Sequence, residues 1–175
     1  MKRRFPLARL WDVVAVAAIA FVLWKIFIAP RSFTAAAGAQ RVPLATFETL
    51  DGGAFHVADA RGRLLFLDFY ASWCEPCKVE LPLVEAWAKN HPDAIVVPVD
   101  VAEPRAVVGA FARKYGLRRV AFDPAGNAQG IFAIGGFPTV IVVDPAGRIR
   151  AKWVGLNPAI ALAMTNAEKT LGAAR

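Results

Sequence analysis

The sequence of 175 residues has only two cysteines and two histidines. Cys74 and Cys77 are three positions apart, and His56 and His91 stand 18 residues before the first and 14 residues after the second. A structural zinc site needs four ligands, so this spacing argues against a metal site, and we expect both histidines on the surface. The sequence predicts no cofactor.

Acidic residues are scarce near the N-terminus, where Asp12 is the only one before Gln40. The formal net charge of +7 therefore belongs mostly to that end, because 15 Lys and Arg face 13 Asp and Glu from Gln40 onward. This small excess does not make the basic surface that nucleic-acid binding requires. We predict no nucleic-acid partner.

A long apolar run occurs once, from Leu10 to Ala29, in a chain that is 57% hydrophobic. Its two charged residues, Asp12 and Lys25, lie near opposite ends of the run, and each end also carries a tryptophan. A helix of about 20 apolar residues crosses a bilayer, and aromatic residues favour its interfaces. We predict a single transmembrane anchor over residues 10–29, followed by an Ala-, Gly- and Ser-containing linker over 30–43.

The basic residues before the run predict its orientation. Positive charge favours the cytoplasmic side, which places residues 1–9 inside and a domain over residues 44–172 in the periplasm or cell exterior. A cleaved signal peptide is the alternative, since Ala37-Gly38-Ala39 has the spacing of a cleavage site. A buried helix of a soluble protein is disfavoured because the run is apolar all round.

The remaining sequence predicts one α/β domain with helices on both faces of a mixed sheet. Apolar patterns and turn residues separate the elements. The predicted strands are 46–50, 54–57, 64–71, 94–99, 120–122, 139–143 and 149–154, and the predicted helices are 76–89, 103–115, 126–134 and 158–171.

The two cysteines leave three interpretations: half of a metal site, a structural bridge or a redox pair. A bridge that closes two intervening residues restricts the unfolded chain very little. A redox pair needs its first sulfur at a helix N-terminus, where the thiolate is stabilised, and the predicted strand-to-helix junction supplies one. We then expect Cys74 to be the exposed nucleophile and Cys77 the resolving thiol. Pro76 stiffens the junction, and Glu75 opposes thiolate formation, which favours a reductant.

The segment LFLDFYASWCEPCKVELP, residues 65–82, resembles the active-site strand and helix of thioredoxin-fold proteins, and within them the TlpA/ResA/CcmG group. Similarity extends over about residues 44–172, through Phe122-Asp123-Pro124, Gly136-Phe137-Pro138-Thr139 and Val143-Asp144. The resemblance implies a three-layer α/β/α fold. It also implies a membrane-anchored thiol-disulfide oxidoreductase that reduces disulfides such as those of apocytochrome c or copper-site proteins.

The resemblance assigns roles to further residues. Pro138 is implied to be a cis-proline beside the cysteines, and Phe137 to offer its backbone to a substrate strand. Asp68 matches the buried acid of thioredoxin rather than the Asn common in anchored relatives. Burial should raise the pKa of such a carboxyl, so we expect it to exchange a proton with Cys77. The alternative for Asp68 is a solvated aspartate at a strand end. Glu80 matches an acid that tunes the cysteines, or is an ordinary exposed helix residue.

We expect Trp73, Glu75, Pro76, Phe137 and Pro138 to contact the substrate, a disulfide-containing client protein. A membrane reductant donor of the DsbD/CcdA type is the second expected partner. Two alternatives stay open: the same fold used as an oxidase or isomerase, and a Cu(I)-binding chaperone that uses both thiolates.

Overall fold

The computed structural model describes residues 13–19 and 40–172. Residues 13–19 are helical, with exposed side chains, and belong to a unit separate from the domain. Within these two ranges, no helix combines the length and hydropathy that a bilayer span requires. The predicted cytoplasmic segment 1–9, and most of the predicted anchor and linker, lie outside the described residues and stay predictions.

The domain alternates strands and helices in the predicted order. Its strands are β1 (Thr46–Thr49), β2 (Ala54–His56), β3 (Leu65–Tyr70), β4 (Ile95–Val101), β5 (Ala121–Asp123), β6 (Thr139–Val143) and β7 (Ile149–Val154). Its helices are α1 (Glu75–Asn90), α2 (Arg105–Tyr115), α3 (Ala128–Ile131) and α4 (Ile160–Leu171), with a 3-10 turn at Val57–Ala60.

All seven strands form one sheet, in the order β2-β1-β5-β4-β3-β6-β7. The pairs β3–β4 and β4–β5 are parallel, and the other pairs are antiparallel. This arrangement confirms the predicted mixed sheet. The carboxyl ends of the three parallel strands lie at one edge, and α1 begins there.

Side chains of β3 alternate between two buried layers, as the period of a strand requires. Phe66 packs against Trp87 of α1, with 5.3 Å between ring centroids. Phe69 points to the other layer, where its ring lies 5.1 Å from that of Phe132. Helices therefore cover both faces, as predicted. Asp68 shares the face of Phe66, which places a carboxyl under α1.

Three helices begin two residues later than predicted. Helix α2 begins two residues after Glu103, because Pro104 has an extended backbone (φ −73°, ψ 148°) and the Glu103 side chain bonds elsewhere. Helix α3 is shorter than predicted because Gly126 has a φ of +73°. Pro158 lies in the turn that precedes α4.

The end of the predicted linker is attached to the domain. The amide of Val42 donates to the carbonyl of Gly147, and the amide of Ile149 donates to the carbonyl of Gln40, both at 2.9 Å. These bonds use backbone groups of the β6–β7 turn that would otherwise face water. The ordered domain thus includes Gln40, four residues before the predicted boundary.

Candidate active site

Cys74 and Cys77 form a disulfide at the start of α1. Cys74 is the N-cap of this helix, and its Sγ accepts a hydrogen bond from the Cys77 amide at 3.2 Å. Unpaired amides and the helix dipole stabilise negative charge at such a position. The predicted strand-to-helix junction is confirmed, and it favours a Cys74 thiolate when the disulfide is open.

The two sulfurs are less accessible than predicted. Cys74 is 4% exposed and Cys77 is 0% exposed. The prediction that Cys74 is exposed is therefore wrong, although Cys74 keeps slightly more exposed surface than Cys77. Both pack in a cluster with Tyr70 and Leu81, against which Phe137 also lies. Cys74 is the only one of the pair with any surface that an incoming disulfide or thiolate can reach.

Aromatic and proline side chains surround this opening. Trp73 is 68% exposed. Its ring and the Phe137 ring are in edge-to-face contact, with 5.9 Å between their centroids. The Phe137–Pro138 peptide bond is cis, as the resemblance implied. The carbonyl of Pro138 accepts a hydrogen bond from the amide of Gly155 at 2.8 Å. The structure thus brings Trp73, Phe137 and the disulfide together.

The residues between the cysteines face solvent. Glu75 and Pro76 are both exposed. The Glu75 carboxylate forms an ion pair with Lys78, one turn along α1, and this partner raises the pKa of Lys78. Lys78 offsets the Glu75 charge, a contact the sequence prediction did not include. Glu75 therefore opposes a Cys74 thiolate less than predicted.

Asp68 is fully buried in β3. Neither carboxylate oxygen has a hydrogen-bond partner among the described residues. Burial is the first cause that raises its pKa well above the ordinary value, and the charges of Glu80 and Glu85 on α1 add to it. The alternative of a solvated strand-end aspartate is wrong. A buried carboxyl with a raised pKa lies instead in the layer that carries the cysteines.

Glu80, one turn after Cys77, is 1% exposed. Its Oε2 accepts a hydrogen bond from the amide of Asn157 at 2.7 Å. Burial raises the pKa of Glu80 to about 7, although the Asn157 bond acts in the opposite direction. The alternative of an exposed helix glutamate is therefore wrong, and Glu80 changes charge near neutral pH.

Glu80 predicts a pH-dependent stability. Its pKa is raised in the folded protein, so the folded state binds more protons than the unfolded state between about pH 4.5 and 7. The free energy of unfolding should therefore fall as pH rises, with Glu80 contributing at most about 1.4 kcal/mol per pH unit. Glu80→Gln keeps an acceptor for Asn157 and removes the Glu80 contribution to this slope. Urea unfolding of both proteins from pH 4.5 to 8 checks it, and identical slopes would contradict the assignment.

The sequence prediction missed a second polar group at this edge of the sheet. Both oxygens of Glu103 accept hydrogen bonds from Ser72, one from its amide at 2.5 Å and one from its hydroxyl at 2.6 Å. Asp100, in β4, is fully buried. The signal that marked Asp68, an acid within an apolar strand, was also present at Asp100.

The histidines do not join the site. His56 is exposed, and its Nδ1 lies 2.8 Å from the Thr46 hydroxyl. His91 is half-buried because its ring stacks on Trp87 at 4.0 Å and its Nδ1 lies 2.6 Å from Glu168. No group of three or more potential metal ligands occurs in the part of the chain that the structure describes.

The model of the AhpC/TSA family matches residues 39–152. The chain belongs to the AhpC/TSA family. The chain is similar to thiol-disulfide oxidoreductase ResA of Geobacillus thermodenitrificans. The two are 26% identical over 79% of this chain and 80% of ResA. Thioredoxin-like protein YneN of Bacillus subtilis is 31% identical over 66% of the chain and 71% of YneN.

Solved structures agree with the fold. A candidate thiol:disulfide interchange protein DsbE from Chlorobium tepidum superposes with a TM-score of 0.71 at 25% identity, over 76% of this chain and 96% of that protein. This AhpC/TSA member therefore has a thioredoxin-like α/β fold with seven strands. With its Cys74–Cys77 pair, it is a thiol-disulfide oxidoreductase of the ResA/DsbE type.

Proposed function

We propose that the protein acts outside the cytoplasm as a dithiol reductase of client proteins, of the apocytochrome c or metal-site maturation kind. The observation that carries the direction is the acidic surroundings of the cysteines, where Asp68 and Glu80 are buried beneath and beside the motif. Ionisation of either carboxyl places negative charge near the cysteines, which disfavours a thiolate there. A dithiol whose reduced form lacks stabilisation gives up its electrons readily.

The first half of the reaction takes place at Cys74. Its thiolate, supported by the amides that begin α1, attacks one sulfur of the client disulfide. A bond forms between Cys74 and that sulfur, and the other client sulfur leaves as a thiolate. Because Cys77 is fully buried, attack is restricted to Cys74, and Cys77 remains available as the resolving thiol.

The second half uses Cys77 and a buried acid. Cys77 loses its proton and attacks Cys74 Sγ, which closes the protein disulfide and releases the second client thiolate. Two electrons have then passed from the protein to the client. Asp68, beneath α1, and Glu80, one turn beyond Cys77, have raised pKa values. A buried carboxyl with a raised pKa can accept this proton and return it, and the pKa of Glu80, about 7, places its own exchange near neutral pH.

The client is proposed to bind across Trp73 and Phe137. An exposed indole beside a half-buried phenyl ring offers apolar contact next to the accessible sulfur. The backbone of Phe137 is suited to pair with an extended client strand, with Glu75, Pro76 and Pro138 completing the surface. Contacts of this kind select extended, disulfide-bearing segments rather than one sequence.

The location and the electron source are also proposals. The basic N-terminus and the apolar run at 10–29 support an anchored protein whose domain faces the periplasm or cell exterior. There, oxidised Cys74–Cys77 would need electrons from within the membrane, which a donor of the DsbD/CcdA type would supply. The resemblance to anchored oxidoreductases supports both points.

The reduction potential tests the direction of electron flow. Equilibration of residues 40–175 with glutathione buffers at pH 7, read by thiol alkylation and mass, should give a potential near or below that of thioredoxin, about −270 mV. A value near that of protein disulfide isomerase, about −180 mV, would favour the oxidase or isomerase alternative. Glu75→Gln serves as a control for the Lys78 ion pair and should change the potential little.

A further inference from the structure

Asp100 forms a buried polar group with Tyr70 at the carboxyl end of the parallel strands. The two residues are register partners across β3 and β4, and both are fully buried. Neither Asp100 oxygen, nor the Tyr70 hydroxyl, makes a hydrogen bond of good geometry within the described residues. A carboxyl in this environment is stable in its neutral form.

Glu103 links this group to the active-site loop. Its two oxygens accept the amide and the hydroxyl of Ser72, at 2.5 and 2.6 Å. Ser72 lies two residues before Cys74 and 31 residues before Glu103. Hydrogen bonds to a carboxylate are stronger than neutral ones, so Glu103 fixes the backbone that leads into the disulfide.

The charges around Asp100 and Glu103 are mostly acidic. Tyr70 faces them from β3, where Asp68 also acts on the Tyr70 hydroxyl. Glu80 and Glu85, on α1, act on Asp68. From α2, the Arg105 guanidinium donates to the carbonyls of Thr49 and Leu50 and lies over the Phe122 ring. Within residues 40–172, no hydrogen bond or ion pair joins a basic side chain to Asp100 or Glu103.

We propose that Glu103 is a positioning residue for the Cys74–Cys77 disulfide, which it holds through Ser72, and that Asp100 controls this hold by binding or losing a proton. While Asp100 is neutral, Glu103 is the only charge of the pair and keeps both bonds to Ser72. Asp100, as register partner of Tyr70, and Glu103, through Ser72, both lie against one short segment, so two like charges repel each other when Asp100 ionises. Glu103 then releases Ser72, and the added negative charge opposes thiolates at the disulfide.

The pH range follows from the same surroundings. The pKa of Asp100 is raised to about 8, mainly by burial and in addition by the interaction with the Glu103 carboxylate. The two hydrogen bonds from Ser72 to Glu103 should be fully formed at pH 6 to 7 and should weaken through pH 8. This inference depends on exchange at Cys74 and is independent of the proposed direction of electron flow, since reduction of the protein by a small thiol suffices to observe it.

Reduction of the oxidised protein by dithiothreitol, measured from pH 6 to 9.5, tests the proposal. The ratio of the wild-type rate to the Asp100→Asn rate cancels the ionisation of dithiothreitol. We expect this ratio to be near one at pH 6 and to fall at least about threefold through pH 8. Asp93→Asn, an exposed aspartate before β4, is the matched control and should give a constant ratio.

Glu103→Gln provides a second test, which does not require Asp100→Asn to fold. The wild type should be several-fold faster than Glu103→Gln at pH 6.5, and this advantage should shrink towards one by pH 9. A merely structural role would give a ratio that does not change with pH. Ratios that stay flat across pH 8 for Asp100→Asn or for Glu103→Gln would overturn the proposal, whatever the reduction potential proves to be.

Discussion

Cys74→Ser should abolish catalysed reduction of insulin, with a loss of at least about 1,000-fold relative to the wild type. A serine hydroxyl cannot form the mixed disulfide on which exchange depends. The variant should still fold, because serine is a favoured N-cap residue and can accept the Cys77 amide in place of the sulfur. Turnover is followed by insulin precipitation with dithiothreitol as the electron source.

Two controls accompany that variant. Circular dichroism should show the wild-type helix content, since the lost disulfide closes only two intervening residues. Ser72→Ala leaves both cysteines in place and retains the amide bond to Glu103, so it should lose far less activity. Retention of wild-type turnover by Cys74→Ser would remove Cys74 from the nucleophilic role.

Asp68→Asn should slow the reaction and stabilise the protein at the same time. Asparagine has nearly the same shape but cannot take the proton of Cys77, so the closing step should slow by about 100-fold. The free energy of unfolding at pH 7 should rise, because the wild-type carboxyl must take up a proton on folding at this pH and asparagine need not. Stopped-flow kinetics with a disulfide peptide and urea unfolding measure the two effects.

The sign of the stability change depends on pH. Burial raises the pKa of Asp68 in the folded protein, so the folded state holds a proton that the unfolded state loses above about pH 4. Stability is therefore present at low pH and is lost as pH rises. The advantage of Asp68→Asn should vanish below pH 4. A stabilised variant with unchanged closing kinetics would show that Asp68 is only a structural residue.

The fold could be predicted largely because each element has a local signal. The continuous apolar run before the cysteines predicted β3, and the turn Asp144-Pro145-Ala146-Gly147 predicted the hairpin of β6 and β7. Helix starts were less accurate where proline or a side-chain contact intervened, as at Pro104. Local periodicity gives the type of an element, but a single residue decides where it begins.

From the residues alone, the candidate site was predictable only where its members are close in sequence; the family resemblance added Phe137 and Pro138. Cys74, Cys77 and Glu80 lie on one helix, so their spacing places them together. Ser72 and Glu103 are 31 residues apart and meet because β3 and β4 are parallel neighbours. The order of strands in the sheet is set by long-range packing, and no local pattern revealed it.

Mass spectrometry of a trapped intermediate tests the central assignment most directly. Reduced Cys77→Ser, mixed with insulin, should accumulate one insulin chain per molecule, joined to Cys74, because the thiol that would release it is absent. Reduced Cys74→Ser, whose Cys77 is fully buried in the oxidised protein, should accumulate almost none. Equal adducts on both variants, or none on Cys77→Ser, would contradict the assignment of Cys74 as nucleophile and Cys77 as resolving thiol.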